Sequence, residues 1–248
     1  MDQIGALLTA PVEPWDALVC TSKAGKNAVL RVLSEWRDYQ TARFRGTPPP
    51  LPQLPVIPLG VDAKAFAPGP DWERERTTWR EKLGIGPDDV AALFVGRLSF
   101  HAKAHPLPAY LAPEAAAERT GKRIHFIQAG RFSNELIEEQ FVWGAKTFAP
   151  SVTAHFISDE GEGRPSGRPW GIWAAGDFFL SLSDNVQETF GLTPIEAMAA
   201  GLPVVASDWD GYREHVRHGV DGFTIPTLAP PPGANSLSFA TALVAWRK

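Results

Sequence analysis

The sequence predicts an α/β protein, a Rossmann-like doubly wound parallel sheet with helices on both faces. Three observations carry this. Short apolar runs such as "VAALFV", "RIHFIQAG", "VTAHFIS", "DFFLSLS", "PVVAS" and "GFTIP" alternate with stretches of helical periodicity. Five of these runs close on a small or polar residue: Gly96, Gly130, Ser158, Ser183 and Ser207. Composition is that of a soluble globular chain, with 44% hydrophobic and 21% charged residues over 248 positions.

Taken in order, "DALVC" at 16–20 reads as a short buried strand. Thr21 or Ser22 then caps a helix whose Ala28, Val29, Val32, Leu33 and Trp36 fall on one stripe. The prolines of "RGTPPPLPQLP" forbid helix and mark a boundary, and "VIPLGVD" reads as a strand ending in a glycine turn. Residues 1–62 are thus set apart from 63–248. In the second unit, helix is expected over Trp72 to Leu83 and strand over Val90 to Val95. Helices over Ala109 to Thr120 and Asn134 to Lys146 flank the strand in "RIHFIQAG", and "VTAHFIS" is the next strand. After "DFFLSLS" come a helix ending at Gly201, the strand "PVVAS", a short helix around Tyr212 to Val216, and the strand "GFTIP". "APPPGANS" is a loop, and "SFATALVAWRK" reads as a helical pattern without a stop signal. In such sheets ligands bind beyond the carboxyl ends of the strands, so the site is expected in the loops after the five runs named above.

Charge and cysteine content narrow the classes. With 24 Lys and Arg against 28 Asp and Glu and no basic stripe, nucleic acid is not an expected partner. Cys20 is the single cysteine, which excludes a disulfide framework and fits a reducing compartment. The first twenty residues lack a cationic start, and no apolar run is long enough to span a bilayer. A cytoplasmic protein without an integral membrane segment is expected. The six histidines and the lone cysteine show no ligand spacing, so neither a metal nor another cofactor is expected.

Two stretches carry chemistry. In "FVGRLSFHAKAH", Gly96 ends a strand, and Arg97 and Lys103 place two cations in one loop. An arginine fork and a mobile lysine suit a phosphorylated ligand, although a solvated loop also carries such residues. In "DNVQETFGLTPIEAMAAGLPVVASDWDG", Glu188 and Glu196 bracket a helix start at Gly191 to Pro194. A helix start offers free N–H groups and the positive end of the dipole to an anion. Pro194 suits the first helical position, and Thr193 with Glu196 fits a capping box, which competes with a ligand role for Glu196.

"ETFGLTPIE" resembles the E-x7-E signature of the retaining glycosyltransferases of family 4. The likeness extends through "EAMAAGLPVVASDWDGYREHVRHGVDGF", with "IPLGVD" similar to that family's interdomain turn and "VGRLSFHAK" to its phosphate-binding loop. These four motifs stand in family order between about residues 16 and 227. The resemblance implies a glycosyltransferase B fold, with 63–248 as a C-terminally truncated donor-binding half and 1–62 as a remnant of the acceptor half plus linker. It implies a nucleotide-sugar donor and a sugar, lipid or small-molecule acceptor. The full-length enzyme could also sit peripherally on the inner membrane.

Residue by residue, the resemblance has Arg97 and Lys103, beside Gly96, hold the donor diphosphate and stabilise the leaving charge. The backbone of Phe190, Gly191, Leu192 and Thr193 would face phosphate or sugar. Glu196 would accept from ribose hydroxyls, and Glu188 would contact the transferred sugar. It implies that the chain by itself binds donor weakly or not at all and transfers nothing. A non-catalytic nucleotide-sugar-binding module or degenerate remnant is the alternative, and a sugar epimerase of related fold a third. Departures from the family are Ala104, His105 and two prolines after Lys103, Asp210-Gly211 in place of paired glycines, and a long charged connector at 159–173.

Overall fold

The computed structural model describes residues 2–47, 50–100, 103–158, 171–185 and 188–227. Helix α1 (Asp2–Ala6) and helix α2 (Lys23–Phe44) open the chain, and α3 (Ala63–Phe66) and α4 (Trp72–Lys82) precede the sheet. Then follow β1 (Val90–Val95), α5 (Leu107–Thr120), β2 (Ile124–Ala129), α6 (Glu135–Phe148) and β3 (Val152–Ile157). A 3-10 turn (Gly171–Ala175) leads to β4 (Phe178–Ser181), α7 (Leu192–Ala199) and β5 (Val204–Asp208), and a second 3-10 turn (Asp210–Glu214) to β6 (Gly222–Pro226).

All six strands are parallel, in the order β3-β2-β1-β4-β5-β6. Val90 pairs with Ile124, Ala92 with Phe178 and Phe179 with Val204. From β1 the chain winds outward to β2 and β3, then returns to place β4 on the other side of β1. The loops leaving β1 and β4 therefore diverge to opposite faces and open a crevice at their carboxyl ends.

Alternation along each strand feeds two cores. Ala91, Leu93, Phe179 and Val204 pack with Trp173, Ala197 and Tyr212 on the face of α4 and α7. Ala92, Phe94, Phe126 and Leu180 pack with Tyr110, Ile137 and Phe141 on the face of α5 and α6. Near-continuous apolar strands follow from burial on both faces.

Leu8, Cys20, Leu33 and Leu54 form a small cluster separate from the two cores of the sheet. Ser22 caps α2, accepting from Gly25 N at 2.9 Å. The expected strands at 16–20 and in "VIPLGVD" are absent as strands: only isolated parallel bridges join Ala17 to Gln53 and Cys20 to Val56. Prolines at 52 and 55 remove the N–H groups that a continuous ladder would need. The predicted α2 stripe is narrower than expected. Leu33 is fully buried and Val29 packs beside it, whereas Ala28 and Trp36 are exposed. The helix expected at Tyr212 to Val216 is the 3-10 turn two residues earlier. Residues 159–170 of the connector, His101, "APPPGANS" from Ala229 on, and the terminal helical pattern lie outside the described residues.

At the amino end of the sheet, Asp177 ties α4 to β1 and β4. It accepts from Arg76 at 2.5 Å, from Arg80 at 3.2 Å and from the Ala91 N–H at 2.8 Å. Burial alone would raise its pKa; the Arg76 bond, the Ala91 N–H and Arg80 outweigh it and hold the carboxyl below its usual range. A depressed folded pKa contributes stability above the unfolded value and loses it as pH falls through the folded one. Asp177→Asn is expected to lower unfolding free energy by about 2–3 kcal/mol at pH 7, leaving Arg80 buried without its counter-ion. In chemical denaturation across pH, that deficit shrinks below about pH 4.

At the carboxyl end, Gly191 sits on the face of fully buried Tyr212, with φ 84°. A methyl there would lie 2.2 Å from the Tyr212 ring. Gly191→Ala is therefore expected to cost about 2 kcal/mol or more, from left-handed strain and overpacking together. A thermal melt unchanged from the native chain would contradict this packing.

Candidate donor-binding site

The site is built by three loops at the carboxyl ends of β1, β4 and β5. Gly96 closes β1 with φ 155°, and Gly130 closes β2 at 158°. A Cβ on Gly130 would fall 1.8 Å from Gly96 O, so glycine here lets the two loop stems touch. Beyond Gly96 the chain turns back, and Lys103 N donates to Ser99 O at 2.9 Å.

The loop after β4 carries Glu188 to meet this turn. Lys103 Nζ and Glu188 Oε2 form an ion pair whose side chains are 16% and 10% exposed. Ser183, at the end of β4, donates its hydroxyl to Lys103 O at 2.7 Å and lies 3.4 Å from Glu188 Oε2. Ser207, at the end of β5, donates in turn to Ser183 O. The ends of β1, β4 and β5 are thereby tied together through two serine hydroxyls and one lysine.

Glu188 is held at both backbone groups: its N–H donates to Asn185 O at 3.0 Å and its carbonyl accepts from Gly211 N at 3.3 Å. Trp209 Nε1 also donates to Asn185 O, so this aromatic braces the loop. Phe190 is buried against the His215 ring, 4.3 Å between centroids, and its backbone packs against Gly211, where an added Cβ would lie 2.6 Å from Phe190 Cα. Tyr212 is buried beneath Gly191, with its hydroxyl 2.9 Å from Ser181 Oγ.

Helix α7 starts at Leu192 with Gly191 as its N-cap, in left-handed conformation and without a side-chain cap. The expected capping box is therefore not formed: Thr193 is the second helical residue, two positions past the cap. Pro194 is third rather than first, still within the first turn where no intrahelical N–H is required. Glu196 lies half-buried within α7. Arg97 stands exposed on the β1 loop, with no hydrogen bond or ion pair to the described residues. The structure thus joins Lys103 to Glu188 directly, with Gly96 beside the Lys103 chain, where an added Cβ would lie 3.5 Å from Lys103 Cε, and leaves Arg97 at the rim.

Three residues of the site have no place in the motif reading. Ser183 bridges Lys103 and Glu188; the strand-end pattern marks its position and nothing in its identity marks its role. Asp210, where the family has glycine, adopts φ 43°. Its pKa is pushed up to about 6, by burial first and then by the Glu188 and Glu214 carboxylates, against a lesser pull from Arg213. Glu214 accepts from Lys23 N at 3.1 Å and Ala24 N at 3.0 Å, capping α2 from the loop beside the site. Among the described residues no helix is long and apolar enough to cross a membrane, and no group of three His, Cys, Asp or Glu is arranged to hold a metal ion.

The model of the family "Glycosyl transferases group 1" matches residues 89–245, which contain all of these loops. The D-inositol 3-phosphate glycosyltransferase of Geodermatophilus obscurus is 31% identical over 192 residues, covering 71% of this chain and 37% of that protein. Its namesake from Corynebacterium jeikeium is 28% identical over 233 residues, covering 91% and 52%. The chain thus spans about half, or less, of the length of these relatives. Among solved structures, Anabaena HepE in complex with UDP-glucose superposes with a TM-score of 0.62 at 20% identity, over 94% of this chain and 54% of that one. WaaG, a glycosyltransferase involved in lipopolysaccharide biosynthesis, superposes at 0.53 and 21% identity, over 86% and 50%. The structural likeness speaks for the fold, and the family match, over more than half of the sequence, makes this chain a member of the group 1 glycosyl transferases.

Proposed function

We propose that residues 63–248 are the nucleotide-sugar-binding unit of a retaining glycosyltransferase of family 4, with Glu188 and Glu196 as its E-x7-E pair. The observation that carries the reading is the meeting of Lys103 and Glu188 across the β1/β4 crevice, beside a helix start with no side-chain cap. A cation, a carboxylate and uncapped N–H groups are the complement of a diphosphate joined to a polyhydroxylated sugar.

In this reading Lys103, with Arg97 from the rim, neutralises the diphosphate, and the first turn of α7 donates to its oxygens. Glu188 accepts from sugar hydroxyls and Glu196 from the ribose. The acceptor's hydroxyl oxygen bonds the anomeric carbon as the bond from that carbon to the phosphate oxygen breaks. The electron pair leaves with the nucleoside diphosphate, and the proton passes to the departing phosphate on the same face. Charge stabilisation of the leaving group is the main contribution asked of this unit. Glu188 is assigned neither nucleophile nor base, because its carboxylate is already committed to Lys103 and, in the complex, to hydroxyls. UDP-glucose in HepE and the names of the longer relatives support a nucleotide-sugar donor and transfer to a polar acceptor.

Since the diphosphate-facing groups all lie in one unit, weak but saturable binding by this chain is expected. Calorimetric titration with UDP, GDP and ADP tests it, alongside an Arg97→Ala, Lys103→Ala double variant. One nucleotide should bind, and the double variant should lose at least about tenfold in affinity, as expected for two charge-assisted contacts. A folded chain that binds none of the three, either free or as the nucleotide sugar, or binds one undiminished by the double substitution, contradicts the reading.

A further inference from the structure

We infer that the Lys103–Glu188 ion pair is a latch that makes this site select an intact nucleotide sugar over the free nucleoside diphosphate; the inference rests on the donor-binding reading above. Lys103 is the cation that the diphosphate needs, and in this structure it is already taken. Its partner Glu188 comes from the loop on the opposite side of the crevice, and both side chains are nearly buried. A diphosphate that draws the Lys103 ammonium to itself competes with Glu188 for its charge and loosens the pair.

The consequence differs between the two ligands. Once Lys103 is gone, the remaining side-chain neighbour of Glu188 among the described contacts is the Ser183 hydroxyl, at 3.4 Å and already donating to Lys103 O. A hydroxyl at that distance is a poor substitute for an ammonium group. Removing one member of a buried pair leaves an uncompensated charge, which is the costly way to break it. The surroundings do not help. Asp210, on the turn after β5, adds a second carboxyl to the field of Glu188, and its raised pKa, to about 6, reflects burial and that shared negative field. Free nucleoside diphosphate brings only acceptors to Glu188. A nucleotide sugar brings hydroxyl donors to the same carboxylate, which replace the bonds that its diphosphate has taken away. The latch therefore opens at lower cost to the donor than to the spent nucleotide, and product leaves as Lys103 returns to Glu188.

The test is titration of the native chain and Glu188→Gln with three pairs of ligands: UDP and UDP-glucose, GDP and GDP-mannose, ADP and ADP-glucose. For the base that binds, the native chain should prefer the sugar nucleotide by tenfold or more. In Glu188→Gln the free diphosphate should bind at least tenfold tighter than to the native chain, and the preference should collapse. Asp210→Asn separates a latch from simple repulsion. It removes a nearby negative charge without touching Lys103, and should gain less than a third of the effect. Equal gains from both substitutions, or no gain from Glu188→Gln, overturn the latch. So does a native chain that prefers the free diphosphate, a result that does not require the variant to fold. Binding of none of the six ligands by either folded chain overturns the donor-binding reading itself and the latch with it.

Discussion

The winding of the chain reverses between β1 and β4, and the arrangement of the site follows from that reversal. Because both strands are parallel and adjacent while their outgoing helices pack on opposite faces, the two loops part at the carboxyl end of the sheet. Backbone cannot fill the gap, so side chains cross it. Lys103 from one side and Glu188 from the other meet there, with Ser183 at the floor. The loop that leaves β4 leads into α7, which starts with Gly191 as its cap and has no side-chain cap hydrogen bond.

What keeps the loops in place is a set of close approaches that only small residues allow. Gly130 accepts the carbonyl of Gly96, Gly191 accepts the ring of Tyr212, and Gly211 accepts the backbone of Thr189 and Phe190. Tyr212 and Phe190 then act as pegs beneath the loop after β4, and Trp209 braces its other arm through Asn185. Glu214 extends the arrangement beyond the sheet by capping α2, next to Glu188, where Thr21 and Gly25 also approach Thr189. Packing of this density couples the loop conformation to the stability of the whole unit.

Much of this architecture was legible in the residues alone, for physical reasons. The inner strands β1 and β2 are mostly apolar because they are buried on both faces, whereas the edge strands β3 and β6 are partly exposed, and each helix between the strands is bounded by glycine, proline or a polar cap. Expectation failed where local rules were outvoted. Thr193 and Glu196 have the spacing of a capping box, yet the helix begins at Leu192, one residue before Thr193, because Gly191 takes the cap position in a left-handed conformation against Tyr212. The stretches 16–20 and 56–59 have the composition of strands and form only bridges, since proline interrupts the ladder. Motif likeness could point to Lys103 and Glu188 one at a time. Their mutual pairing, across 85 residues of sequence, could only come from the strand order, as could the roles of Ser183 and Asp210.

In the proposed function a diphosphate takes Lys103 at the β1/β4 crevice and a sugar takes Glu188. A crystal structure of the chain soaked with the sugar nucleotide that binds is the most direct measurement of this. Phosphate oxygens are expected within about 3 Å of Lys103 Nζ and of the first-turn N–H groups of α7, with Glu188 turned from Lys103 to sugar hydroxyls. A nucleotide seated away from the carboxyl ends of β1 and β4, or a Lys103–Glu188 pair still closed with ligand in place, would contradict it.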